Sequence, residues 1–220
     1  MSPKAAHTLI HQSRSSEWQT PSVYLEAART LLGGIDLDPA SCAEANQRVR
    51  AARYYTRADD GLSAPWYARV WLNPPYGTTA RNQSQQKVWS QRLILEYTQG
   101  TVSEAVLLVN AQTGELWFQP LWAYPICFTR RLQFHRPGGS IGKGPTHGSA
   151  FVYFGPQVER FAALFGALPR VGRIVLPDGG VTDSRNTFCE QCGIPFPLAR
   201  RDARYCSPAC RQRAYRGRGR

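Results

Sequence analysis

The octapeptide VWLNPPYG, Val70 to Gly77, ends a short apolar run with an amide, two prolines and an aromatic ring. Pro74 fixes its own φ and pushes Asn73 towards an extended conformation, and Pro75 does the same to Pro74. The loop is therefore stiff, and neither proline carries an N–H to compete for nearby acceptors. The Asn73 side-chain oxygen and the Pro74 carbonyl become a fixed pair of acceptors beside the Tyr76 ring. One chemical problem matches this arrangement. The exocyclic amine of adenine is a poor nucleophile, because its lone pair is delocalised into the ring. Accepting both of its N–H bonds draws the nitrogen towards tetrahedral geometry and turns the lone pair to an electrophilic methyl sulfonium. Positioning and aimed dipoles carry such catalysis. Tyr76 would stack on the base, which must leave the duplex to reach a pocket. A polyproline ligand is the other use of Pro-Pro-Tyr, but no second proline cluster accompanies it and it follows a candidate strand.

Such a motif needs a strand end, and the rest of the chain supplies strands and helices in alternation. Thr20-Pro21 reads as a helix N-cap followed by proline at the first helical position, with Gly33-Gly34 as the stop. Between them SVYLEAARTLL has apolar residues at helical spacing. GIDLD (34–38) reads as a strand, PASCAEANQRVRAA as a helix, RVWL as the strand entering the motif, and SQQKVWSQRLILEYT as a helix. EAVLLVN (104–110) is apolar throughout, as in a strand covered on both faces. GELWFQPLW is a short helix that Pro120 would end. PICFTRRLQF and AFVYFG are two strands joined by a Gly-rich loop, and QVERFAALFGAL and RIVLP add a last helix and strand. The pattern predicts an α/β fold with a doubly wound, largely parallel sheet.

With 220 residues and 42% hydrophobic content, the chain can bury one sizeable α/β core and an appendage. The expected divisions are a flexible start (1–16), a main domain (17–177), a linker (178–187) and a cysteine-bearing tail (188–220). No apolar run reaches the roughly 18 residues of a membrane span, and the first residues lack a secretory apolar block. A cytoplasmic protein without a membrane partner, a monomer by preference, is the expectation.

The formal charge of +12 favours a polyanionic partner. Residues 185–220 hold nine arginines against Glu190 and Asp202, a net +7 of that +12. The same tail contains Cys189-x2-Cys192, thirteen residues, then Cys206-x3-Cys210. Each close pair can bite one ion, and four thiolates complete the tetrahedron of a structural Zn2+. Ser207-Pro208 would start a helix bearing Arg211, Arg213 and Arg216, an arm suited to DNA phosphates. Cys42 and Cys127, isolated in apolar segments, read as small buried hydrophobes.

Several acids and one loop are further candidates. Asp36 and Asp38, two apart, share a side of a strand. At its carboxyl end a carboxylate can accept from ribose hydroxyls, although Asp38-Pro39 would equally serve a turn and helix cap. The Thr20-Pro21 helix start could offer free N–H groups to a ligand carboxylate. Asp59 or Asp60 could accept from an adenosine amine, or DDG is a solvated turn. The loop 135–149 fails Walker spacing; its His135, Arg136, Lys143 and His147 could touch DNA phosphates or the target base's neighbours. Asn82-Gln83-Ser84 matches a glycosylation sequon with nothing to send the chain through a secretory route.

Taken in order, SEWQTP, DLDPAS, YYTRADDGL with Trp66, and VWLNPPYG resemble the phage-type DNA N6-adenine methyltransferases, as do TGELWF, CFTRRLQF and GSAFVYFG downstream. The resemblance covers about 16–156. It implies a Rossmann-like S-adenosylmethionine-dependent sheet, with DNA adenine as methyl acceptor and a use such as shielding viral DNA from restriction. It also implies a catalytic Asn73, Pro74, Pro75 and Tyr76. Trp18, Thr20, Pro21, Asp36, Asp38 and Asp60 would form the cofactor site, Asp60 being the better match of its pair. DPASCAEAN lacks the glycines that usually let backbone approach the cofactor. The tail resembles small bacterial four-cysteine zinc fingers, which lie outside the methyltransferase pattern. Two alternatives stay open: a methyltransferase for cytosine N4, an RNA base or a protein amide, and a non-enzymatic DNA-binding protein on the same core.

Overall fold

The computed structural model describes residues 20–134, 147–177, 181–182, 186–188, 195–197, 204–205 and 208–217. Trp18, the Gly-rich loop through residue 146, and Cys189, Cys192 and Cys206 lie outside them.

Eight strands form one sheet in the order β2-β1-β3-β4-β6-β5-β7-β8. In chain order these are β1 (Leu37–Asp38), β2 (Arg53–Tyr54), β3 (Ala68–Leu72), β4 (Val102–Asn110), β5 (Ile126–Thr129), β6 (Ser149–Phe154), β7 (Val171–Val175) and β8 (Val181–Thr182). The helices are α1 (Ser22–Leu32), α2 (Ala43–Val49), α3 (Gln85–Thr98) and α4 (Val158–Gly166), with α5 (Pro208–Gly217) in the tail. The α/β class expected from the sequence is observed. Strands β2, β1, β3 and β4 are mutually parallel. Strands β6, β5, β7 and β8 continue the sheet antiparallel, with α4 in the crossover from β6 past β5 to β7. β2 and β8 were not read as strands: each has two residues, too few to show alternation. β8 falls within the expected linker, as does the start of β9 (Asn186–Phe188), which pairs antiparallel with β10 (Pro195–Pro197).

Alternation along the central strands feeds two cores, since successive side chains leave opposite faces. Trp71, Val106, Leu108, Phe151 and Tyr153 pack with α1 and α4. Val70, Leu72, Ala105, Leu107, Val109, Val152 and Phe154 pack with Trp89 and Leu93 of α3. Covered on both faces, β4 has no exposed residue between Ala105 and Val109, which explains its unbroken apolar run.

Three local expectations are corrected. Pro21, not Thr20, occupies the N-cap of α1, and its carbonyl accepts the Tyr24 N–H at 3.1 Å; the Thr20 side chain is turned elsewhere. Pro120 lies in the first turn of a 3₁₀ segment, Gln119–Ala123, where its missing N–H costs nothing, so it starts that segment and does not end one. Cys42 is half-buried and caps α2, its Sγ accepting from the Ala45 N–H at 3.4 Å. Cys127 is buried as expected, with burial pushing its thiol up to about 12.

Candidate active site

In the parallel half of the sheet, β1 and β3 run side by side with Leu37 opposite Val70. Asp38 at the end of β1 and Asn73 just past β3 therefore emerge at one edge, where open α/β sheets bind ligands. A cavity of about 820 Å³ opens there, within the roughly 300–1,000 Å³ of small-molecule sites. Thr20, Asp38, Asp60, Asn73, Pro74 and Tyr76 all contribute to its wall, as does Pro75.

Asn73 is held from one side. Its Nδ2 donates to Thr20 Oγ1 at 3.4 Å, and Thr20 is buried beneath it. Its Oδ1 is buried and has no hydrogen-bond partner among the described residues. A desolvated acceptor without a donor is unfavourable by about 1–3 kcal/mol, and it lies in the wall of an open cavity. Tyr76 also buries its hydroxyl without a described partner, and burial raises that phenol well above its ordinary range. The ring meets Phe134 edge to face at 6.4 Å between centroids, so it stands braced as part of the wall.

Asp38 is the most unusual charge in the site. Only 3% exposed, it accepts the Ala40 N–H at 3.2 Å and has no ion pair among the described residues. Burial pushes its carboxyl up to about 7. The Ala40 N–H and the Ser41 hydroxyl beside it act against that rise, and Ser41 also lines the cavity. Asp60 reaches the wall from the segment after β2, in a left-handed conformation with φ of 48°, and its carboxylate accepts from Ser63 Oγ at 2.6 Å. That segment is clamped at its far end. Trp66 Nε1 donates to the Gly61 carbonyl at 2.6 Å, and the Trp66 ring stacks on Trp89 of α3 at 5.9 Å.

Gly61 packs against the Asp38-Pro39 turn. A Cβ on Gly61 would stand 1.9 Å from the Pro39 carbonyl oxygen. The close approach of backbones around the Asp38-Pro39 turn is provided by a glycine 22 residues later in the chain, not by DPASCAEAN itself.

The acid pair separates. Asp36 precedes β1 and is gripped by Arg69, with Nε to Oδ2 at 2.6 Å and Nη2 to Oδ1 at 2.8 Å. The guanidinium holds its carboxyl below the usual range, and it does not line the cavity. Two-residue spacing did not place both acids in the site because the strand begins only at Leu37. Pro21 is likewise outside the wall. Ser41, Tyr55, Gln85 and Trp89 are wall residues that sequence reasoning missed. Gln85 and Trp89, four apart on α3, carried a helical signal but no chemical one. Among the described tail residues, Cys210 is buried and Arg211 is exposed, and no group of three or more metal-ligating side chains is found among the described residues.

The residues present fit S-adenosylmethionine and a planar amine. A buried carboxylate without a counter-charge suits the cofactor's ammonium, and an orphaned acceptor suits an N–H donor. The sequence model of the DNA N-6-adenine-methyltransferase (Dam) family matches residues 7–145, which takes in β1 to β5 and all of the cavity wall named above. Comparison with curated proteins and with solved structures finds no match. With well over half its length matched, the chain belongs to the DNA N-6-adenine-methyltransferase family, adenine-specific enzymes that take their methyl group from S-adenosylmethionine.

Proposed function

We propose that Asn73 and Pro74 are the catalytic acceptors of this enzyme and that Asp38, Ser41 and Asp60 hold the cofactor. The observation that carries the reading is the buried, unpartnered Asn73 Oδ1 in the cavity wall. An adenine extruded from the duplex donates one N–H to that oxygen and the other to the Pro74 carbonyl. The nitrogen lone pair would thereby be freed to accept the methyl group, with the amine giving up one proton to solvent. When bound, S-adenosylmethionine supplies that methyl group on a sulfonium. Asp38 pairs with the cofactor ammonium, and Asp60 accepts from its adenosine portion. Tyr76, braced by Phe134, presents its ring to the base. Thr20 acts by positioning the Asn73 amide, and not as the helix cap first expected of it.

The tail acts as a second grip on DNA. In the sequence Cys189 and Cys192 precede Cys206 and Cys210, the last in the first turn of α5, a spacing that suits four thiolates around one Zn2+. Arg211, Arg213 and Arg216 follow on that helix and engage phosphates. Protection of DNA from restriction is a use consistent with this activity. Among the described residues no helix is long and apolar enough to cross a membrane.

The test is incubation of the full chain with DNA and methyl-labelled S-adenosylmethionine, followed by nucleoside analysis. Label in N6-methyl-2′-deoxyadenosine supports the reading; label in N4-methyl-2′-deoxycytidine or in protein refutes the assigned acceptor. Metal analysis of the purified chain should return about one zinc per molecule, and its absence would refute the tail assignment.

A further inference from the structure

Between the catalytic loop and α3 the chain makes a small closed turn. Thr78 and Ser84 form an antiparallel bridge. Inside it Thr79 N–H donates to the Gln83 carbonyl at 2.8 Å, and Asn82 N–H donates to the Thr79 carbonyl at 3.0 Å. The Thr79 hydroxyl accepts from the backbone N–H groups of Arg81 at 3.3 Å and Gln83 at 3.2 Å. At its base the Gln85 N–H returns to the Gly77 carbonyl at 3.0 Å. Asn82 sits at φ 55°, a left-handed conformation that asparagine tolerates. The turn is therefore held by its own backbone and by one hydroxyl.

Its side chains are spare. Arg81, Asn82 and Gln83 are all exposed, and none has a side-chain hydrogen bond or ion pair among the described residues. Yet both feet of the turn, Thr78 and Gln85, belong to the wall of the methylation cavity. Arg81 lies three residues from Thr78, so chain reach keeps its Cα within about 11 Å of that wall. That spans about three base steps at roughly 3.4 Å each. Arginine, asparagine and glutamine are among the side chains that make bidentate contacts to guanine or adenine edges in the major groove.

We propose that the turn 78–84 is a base-reading element, in which Arg81, Asn82 and Gln83 contact base edges next to the extruded adenine and set the sequence context that is methylated. The inference rests on the adenine-methylation reading and names the specificity determinant of that same site. A rigid backbone lowers the ordering cost of such contacts, and the absence of internal partners leaves the donors and acceptors available to DNA. The basic tail supplies affinity without sequence choice, so discrimination has to arise near the cavity.

The test compares the full-length enzyme with the variant R81A/N82G/Q83A, glycine being chosen at 82 because it retains the left-handed backbone. Saturable S-adenosylmethionine binding certifies the fold of the variant. Both proteins methylate a duplex library with randomised bases around a fixed adenine, and both are used to select duplexes by binding alone. The wild type should prefer particular flanking bases, and the variant should lose about 5- to 150-fold of that preference for each bidentate contact removed. Arg81→Ala alone should relax the choice at one base position. An unchanged profile in the variant overturns the proposal. So does a uniform loss of binding with a shallower salt dependence, which marks phosphate contacts, or a wild type that shows no flanking preference. Should the wild type produce no N6-methyladenine on any member, the methylation reading fails, and the binding selection still decides whether the turn reads bases.

Discussion

Replacing Asn73 by alanine should separate stability from catalysis, and the structure sets the size of each effect. The substitution deletes one hydrogen bond, Nδ2 to Thr20 Oγ1, whose 3.4 Å length lies beyond the usual range. Its loss costs under about 1 kcal/mol, and the few lost packing atoms cost about 1 kcal/mol more. Against this, alanine removes Oδ1, whose burial without a partner is itself unfavourable by about 1–3 kcal/mol. The balance leaves stability unchanged to within about 1.5 kcal/mol, or slightly raised. Catalysis responds in the other direction. A preorganised partner for charge developing in the transition state is worth about 2.7–4 kcal/mol, or about 100- to 1,000-fold in kcat. Urea unfolding of both proteins, with single-turnover methyl incorporation at saturating DNA and cofactor, gives the two quantities independently. A loss of more than about 3 kcal/mol of stability would show that the amide is structural. A kcat within about threefold of wild type would show that the oxygen does not act on the amine.

Three further outcomes follow from the same geometry. Asp38, with its carboxyl pushed up to about 7 by burial, must ionise to pair with the cofactor ammonium. S-adenosylmethionine affinity should therefore fall as pH drops below about 7, towards tenfold per unit, while Asp38→Asn should bind weakly with a flat profile in the same titration. The sign for the unliganded fold is opposite: a raised carboxyl favours folding below its unfolded value near 4, and that contribution declines as pH rises towards 7; urea midpoints at pH 5 and 8 measure it. Gly61→Ala puts a Cβ against the Pro39 carbonyl at 1.9 Å, and should cost about 1–3 kcal/mol by thermal unfolding and weaken cofactor binding several-fold; a normal variant in both assays would show that the turn yields. Removing residues 178–220 should lower DNA affinity and flatten its dependence on salt, with cofactor affinity retained; binding unaltered at every salt concentration would remove the tail from the interface.

The sequence disclosed elements where one physical signal dominated. Helix α1 was legible from its apolar spacing and from Gly33, which takes φ 68° at the C-cap as a left-handed stop requires. Strand β4 was legible because burial on both faces leaves no polar alternation to obscure it. The position of Asn73 and Pro74 in the cavity wall was legible because two prolines leave a loop little conformational choice. Signals that depend on partners distant in the chain were not. Asp36 resembles Asp38 in sequence, and only the approach of Arg69 from β3 separates a structural ion pair from a cavity acid. Gly61 looks like an ordinary turn glycine until the Pro39 carbonyl is placed against it. Ser41 and Thr20 are small hydroxyl residues whose roles arise wholly from what folds over them.

These failures of local reading have a common cause that bears on function. Core positions obey rules stated in neighbouring residues: period two in strands, period 3.6 in helices, glycine at a left-handed stop. The cavity wall breaks those rules in several places close together. Among the described residues an acceptor is buried without a donor, a phenol is buried without a partner, and a carboxyl is buried without a counter-charge. Each is unfavourable in the isolated chain, and only the two apolar cores flanking the sheet make such a wall tolerable. Scattered through the protein they would be defects. Gathered at the carboxyl ends of β1 and β3, they support the proposed pairing with a ligand pair carrying an ammonium group and an amine with two N–H donors. Binding energy is thus already laid down in the unliganded protein as unsatisfied polarity, so the acceptors need no reorganisation when the methyl group moves.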